Sequence, residues 1–182
     1  VYSVFNLTSQ FIKAGVSGLH FEDQLASEKK CGHMGGKVVI PTHEYIKKLN
    51  SSRLASDVLG SPVLLIARTD ALHASLITSD FDDDDREFLS NKRTSDGYFS
   101  IKDNHGLAIK KALRYSEYAD VIWCETNTPD LGFAKEFADE IKKVFPNKIL
   151  AYNCSPSFNW IGKFNESDIK DFQKKLFELG YK

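Results

Sequence analysis

The segment Lys29-Lys30-Cys31-Gly32-His33-Met34-Gly35-Gly36-Lys37 sets one cysteine among four basic side chains and three glycines. Positive charge beside a thiol favours thiolate, the reactive form. Glycines around it let backbone approach a ligand and let the segment move. His33, two residues on, could exchange a proton with the sulfur. These residue types leave two readings open, a reactive thiol on a mobile loop and a free thiol on a basic surface loop. A zinc site is not indicated, because Cys31-x-His33 is tighter than the usual ligand pairs. Cys124 and Cys154 follow apolar runs, positions that suit inert packing.

A second set of residues sits where apolar runs end. His20, Glu22 and Asp23 close one run, and Arg68 and Asp70 close the next. Cys124 and Glu125 close a third; Asn153, Ser155 and Ser157 follow a fourth. Polar loops explain Asp23 or Thr126 well, but Glu22 and Glu125 directly follow residues that expect burial. A buried carboxylate without a partner is costly. Two carboxylates and Arg68 in one crevice call for a metal, or for an anionic ligand with its cation.

The elements that must carry these groups read as alternating strands and helices. Val4, Leu7, Phe11 and Ala14 form one helical stripe. Val16–Phe21 reads as a strand, followed by a polar loop from Gln24 to about Pro41. Thr42–Leu59 reads as a helix closed by Gly60. Val63–Ala67 is the next strand. His73–Ser100 reads as an irregular excursion with at most a helical turn, and its Asp82–Asp85 run as a solvated surface turn. A helix over Asn104–Tyr118 leads to strand Val121–Trp123. Thr128 caps the following helix, Ile149–Tyr152 is a strand, and Ser167 caps a last helix. Such alternation predicts an α/β fold with parallel βαβ units. Continuous apolar strands predict cover on both faces, and parallel strand ends gather on one rim, where ligands bind.

Composition narrows the function classes. The chain has 182 residues, 42 % hydrophobic and 27 % charged, as expected of a folded domain. Its 24 Lys and Arg nearly balance 25 Asp and Glu, so no basic field points to nucleic acid. No apolar run approaches the roughly 18 residues of a membrane span, and no phosphate-binding glycine fingerprint follows a strand. Three cysteines cannot all pair, which suits a reducing compartment rather than a secreted framework.

Five blocks in order carry a resemblance: His20-Phe21-Glu22-Asp23-Gln24, Lys29-Lys30-Cys31-Gly32-His33-Met34, Ala67-Arg68-Thr69-Asp70-Ala71, Trp123-Cys124-Glu125-Thr126, and Asn153-Cys154-Ser155-Pro156-Ser157-Phe158-Asn159-Trp160. Together they resemble the isocitrate lyases, in the isocitrate lyase and phosphoenolpyruvate mutase superfamily. The resemblance spans essentially the whole chain. It implies a partial (β/α)8 TIM-type barrel, with residues 1–182 supplying about strands four to seven and their helices, truncated at both ends. A full barrel typically needs about 250 residues.

The resemblance also implies a mechanism. Isocitrate would be cleaved to glyoxylate and succinate, in the glyoxylate cycle, with Mg²⁺ and a homotetramer in the full enzyme. Cys31 would protonate the departing succinate carbanion, tuned by His33 and Lys29. Arg68 would pair with glyoxylate oxygens and Glu125 would orient its neighbours. Gly32, His33, Asn153, Ser155 and Ser157 would clamp succinate carboxylates. Glu22 would help hold the metal through water, with a direct aspartate ligand upstream of this chain. The compartment would be the cytoplasm, or the peroxisome, glyoxysome or mitochondrion of a eukaryote. The alternatives are a methylisocitrate lyase, one methyl away in substrate, and a non-catalytic fragment that packs against a partner. Met34-Gly35-Gly36-Lys37 and the Asn153–Trp160 block look more like isocitrate lyase.

Overall fold

The computed structural model describes residues 1–182. In chain order the first elements are α1 (Tyr2–Lys13), β1 (Gly18–Glu22), β2 (Lys37–Val39), α2 (Thr42–Val58), β3 (Leu64–Thr69), β4 (Ala74–Ile77) and α3 (Asp83–Arg86). Then follow β5 (Leu89–Arg93), β6 (Phe99–Ile101), α4 (Asn104–Tyr115), β7 (Val121–Cys124), α5 (Leu131–Val144), β8 (Ile149–Ala151) and α6 (Glu166–Glu178).

The four expected strands form one parallel sheet in the order β1-β3-β7-β8. Strand side chains alternate between faces, and the two faces divide the labour. Leu65, Ala67, Ile122, Cys124 and Leu150 pack into the 23-residue core under α2, α4, α5 and α6. The other face carries His20, Glu22, Arg68 and Trp123, with His20 and Trp123 rings 5.4 Å apart. Cover on both faces was expected; here Leu64 and Ile149, at strand starts, remain exposed.

The excursion and the end of the long loop are not irregular. β2, β4, β6 and β5 form a second four-stranded sheet in that order. β2 pairs with β4 in parallel, and the other pairs are antiparallel. Its small core is Val39, Ala74, Ile77 and Leu89. These strands are three to five residues long and often polar, so non-local pairing rather than propensity creates them.

Asp82–Asp85 is also not a solvated turn. Asp82 caps α3 by accepting from the Asp84 N–H. Asp85 is fully buried, accepts from the Thr42 N–H at 2.7 Å and its hydroxyl at 2.6 Å, and faces Lys111 at 3.3 Å. The run docks because Lys111, itself fully buried, needs an anion.

Three helix termini differ from expectation. Asp130, not Thr128, caps α5, accepting from Phe133 N–H at 2.9 Å. Asn165, not Ser167, caps α6 through Asp168 N–H at 2.9 Å. In each case the side chain that lies three residues before the free N–H is the one that reaches it. α4 ends at Tyr115 rather than Tyr118. On α1 the apolar stripe points outward: Leu7 and Phe11 are exposed, while Thr8 and Ile12 are buried. The Thr8 hydroxyl donates to Ser52 on α2, so small polar residues make that helix contact. No helix is long and apolar enough to cross a membrane.

Candidate active site

Arg68, next to last in β3, lies on the face away from the main core and is the hub of the rim. Its Nε donates to Asp70 Oδ2 at 2.9 Å and its Nη2 to Asp70 Oδ1 at 3.0 Å, a two-point fork that fixes the guanidinium plane. Glu22 Oε2 lies 3.4 Å from Nη2, and Glu125 Oε2 lies 3.9 Å from Nη1. The guanidinium also sits 4.7 Å from the Trp123 ring centroid. Burial works against charge on both partners of the fork. The hydrogen bonds Arg68 donates to Asp70 nonetheless raise its own pKa, and the Arg68 and Lys37 cations hold Asp70 below the usual carboxylate range.

Asp70 is aimed from behind. Asp23, fully buried, accepts from the Asp70 N–H at 2.8 Å, the Thr69 hydroxyl at 2.8 Å and the Tyr115 hydroxyl at 3.0 Å. Burial pushes the Asp23 carboxyl pKa up, and the Lys111 charge opposes it.

The cysteine loop folds over this rim. Gln24 clips its start, accepting from Lys30 N–H at 2.9 Å and donating to Lys30 carbonyl at 3.0 Å. A turn follows, with Met34 N–H donating to Cys31 carbonyl at 2.9 Å. Gly32 rests on the rim so closely that a Cβ there would lie 2.8 Å from Arg68 Nη2. His33 Nε2 stands 3.4 Å from Asn153 Nδ2 and 3.7 Å from Glu125 Oε1. His33 Nδ1 is 3.0 Å from Ser157 Oγ, which is 2.8 Å from Ser155 Oγ. Asn153 donates to Glu125 Oε1 at 3.1 Å. The loop after β8 keeps this posture because Trp160 Nε1 donates to the Ser155 carbonyl at 2.8 Å and its ring packs on Phe172.

The structure therefore brings Glu22, Gly32, His33, Arg68, Glu125, Asn153, Ser155 and Ser157 to one rim. Cys31 is exposed at the loop. The cations expected to surround it are engaged with other groups. Lys29 pairs with Glu22 at 2.9 Å, and Lys30 donates to the Gly36 carbonyl at 2.9 Å. Lys37 donates to Asp70 Oδ1 at 2.6 Å. Each of the three ammonium groups thus has an oxygen acceptor of its own. Cys124 is buried, and burial raises its thiol pKa and that of half-buried Cys154, in keeping with inert packing.

Sequence reasoning set Lys37 among the cations around Cys31 and Asp23 among the strand-end polar groups, and gave no site role to Gln24 or Trp123. That Lys37 opens the apolar run Lys37-Val38-Val39-Ile40 is the signal that could have placed it in the interior, away from Cys31.

For a metal, Glu22 offers a hard oxygen donor at the rim, of the kind magnesium takes. Glu125 Oε2 is buried without a hydrogen-bond partner. No group of three or more His, Cys, Asp and Glu side chains is arranged to hold an ion. That donor set fits one outer contact to a cation, not a coordination shell.

A family model described as the isocitrate lyase family matches residues 1–92 and 89–182. The chain belongs to the isocitrate lyase family. It is 54 % identical over 182 residues to an isocitrate lyase of Escherichia coli strain K12, covering 100 % of this chain and 42 % of that protein. Identity to an isocitrate lyase of Halalkalibacterium halodurans is 54 % over 180 residues, 99 % of this chain and 42 % of the relative. Identity to isocitrate lyase 1 of Mycobacterium tuberculosis is 50 % over 180 residues, 99 % of this chain and 42 % of that protein. The chain thus spans well under half the length of these isocitrate lyases. Among solved structures, oxaloacetate acetylhydrolase with the inhibitor 3,3-difluorooxalacetate superposes with TM-score 0.65 at 22 % identity, covering 98 % of this chain and 46 % of that one. A 2,3-dimethylmalate lyase of the PEP mutase/isocitrate lyase superfamily gives 0.57 at 21 %, over 97 % and 45 %. Those two likenesses concern the fold alone.

Proposed function

We propose that this chain carries the cysteine loop and four strand ends of an enzyme that cleaves isocitrate to glyoxylate and succinate. The observation that carries the reading is the seating of Gly32 and His33 against Arg68, Glu125, Asn153 and Ser157, residues scattered over the sequence and gathered on one rim. Identity to isocitrate lyases along the whole chain supports the same chemistry.

Arg68, its guanidinium plane oriented by Asp70, pairs with oxygens of the forming glyoxylate. His33, Asn153, Ser155 and Ser157 offer N–H and O–H donors to the succinate carboxylates. Glu125 accepts from Asn153 and so sets its amide toward the ligand. Cys31 delivers the proton that the succinate carbanion takes up, and the loop excludes water while it does so. Lys29 balances Glu22, the residue that would help hold magnesium through water, with a direct aspartate ligand elsewhere in the whole protein. Bound magnesium supplies a Lewis acid that favours loss of the 2-hydroxyl proton.

The parallel sheet is read as part of a (β/α)8 barrel, about strands four to seven. The free edge of β1 and the exposed Leu7 and Phe11 of α1 support further chain packing there. A homotetramer is proposed for the whole enzyme.

The test is glyoxylate formation by the full-length protein from isocitrate and Mg²⁺, with methylisocitrate in parallel. The expected result is turnover of isocitrate that Cys31→Ser nearly abolishes without changing the circular dichroism spectrum. Preferential turnover of methylisocitrate would reassign the substrate. Near-normal activity of Cys31→Ser would remove the thiol from the mechanism.

A further inference from the structure

Lys37 is the most enclosed cation at the site, with no exposed surface. Its Nζ donates to the Gly32 carbonyl at 2.5 Å and to Asp70 Oδ1 at 2.6 Å. Asp70 Oδ1 also accepts from Arg68 Nη2. One carboxylate is thus shared by the residue that would grip the substrate and by the residue that grips the loop. Lys37 is the first residue of β2, so its stem is anchored in the second sheet, where β2 runs parallel to β4.

Other contacts hold the loop differently. Gln24 and Lys30 act at its base, Gln24 on Lys30 itself and Lys30 on Gly36. His33 holds the tip through its ring, which faces Ser157, Asn153 and Glu125. Lys37 reaches the backbone of the tip from the interior, at the Gly32 carbonyl. A buried ammonium has three N–H groups to satisfy, and leaving one unpaired away from water is costly. Lifting Gly32 off the rim removes one of the two acceptors Lys37 has. Loop docking and the satisfaction of Lys37 are therefore the same event.

We propose that Lys37 is a positioning residue that latches the cysteine loop onto the strand rim, through the Gly32 carbonyl, and ties that closure to the orientation of Arg68 through Asp70. The inference deepens the lyase reading, but the latch is a property of the folded chain and is measured without substrate.

The experiment is amide hydrogen exchange of the full-length protein and its Lys37→Met variant, which keeps a linear side chain without the ammonium. Exchange over residues 25–36 is expected to quicken about tenfold to hundredfold, the scale of one hydrogen bond to a charged group. The α4 segment, residues 104–115, should stay unchanged. A residue that served stability alone would leave the loop no faster than the rest. Should Lys37→Met fail to fold with Asp70 left short of a cation, Lys37→Met with Asp70→Asn removes both charges and must show the same selective loop acceleration. Unchanged loop exchange in a folded variant, or a loop already exchanging at the unprotected rate in the parent protein, overturns the latch. Absence of glyoxylate production by the parent protein would overturn the lyase reading alone.

Discussion

A Cβ placed on Gly32 would stand 2.3 Å from Glu125 Oε1, so glycine is the residue that lets the loop lie on the rim. Glu125 is buried, so its carboxylate has little room to withdraw. Gly32→Ala is expected to lift the loop and lower kcat/KM about 100-fold, the cost of an ångström-scale misplacement. Its melting temperature should barely move, because the loop contributes little to the core. Steady-state kinetics and thermal denaturation check both, and unimpaired kcat/KM would show that the loop works from another position.

Arg68 presents a planar fork to Asp70 that an ammonium cannot copy. Arg68→Lys retains the charge and should still lower kcat by about 100-fold, the scale of losing a preorganised electrostatic contact. The measurement is kcat at saturating isocitrate and Mg²⁺. An unchanged rate would make Arg68 a structural residue.

The Asp85–Lys111 pair lies fully buried at 3.3 Å. Asp85→Ala should destabilise the protein by about 3–5 kcal/mol, because it strands a buried cation. Asp83, two residues earlier and exposed, pairs only with Arg86. Asp83→Ala should shift stability by less than about 0.5 kcal/mol. Urea midpoints at constant slope compare the two, and equal midpoints would restore the solvated-turn reading of this run.

Asp23 gives a pH signature. Burial holds its folded pKa above the ordinary 3.8, so the folded protein binds this proton more tightly than the unfolded chain does. The resulting stability is fully present below 3.8 and is lost as pH rises through the folded pKa. Asp23→Asn keeps an acceptor for the Asp70 N–H and removes this proton. Its stability relative to the parent should be most favourable at neutral pH and fall on acidification toward 3.8. Asp70, whose pKa is lowered, acts in the opposite sense: its contribution is present above 3.8 and lost below, in both proteins. Urea denaturation from neutral pH down to that value reads the difference, and a difference independent of pH would deny Asp23 its raised pKa.

Much of the main sheet was readable from the chain. Apolar runs of three to six residues, each ended by polar groups, marked β1, β3, β7 and β8, because burial of such runs decides their conformation locally. Ala134, Ala138 and Ile141 on α5, and Phe172 and Leu176 on α6, fall at helical spacing and lie in the core for the same reason. On α1 the same signal misled, since the stripe at Leu7 and Phe11 is exposed and the contact to α2 runs through Thr8 and Ser52.

Residue order alone determined which groups end the strands, and that a glycine-rich cysteine loop follows the first of them. Strand alternation and local caps are properties of short segments. Only the tertiary structure decided that the loop rests on Arg68 and Glu125, and that Lys37 spans from the second sheet to Gly32. It also decided that Asp85 turns inward to Lys111. Asp85 and Lys111 lie 26 positions apart and Lys37 and Asp70 33, and the free energy of these pairs lies in shared burial and in charges that must find partners once water is gone.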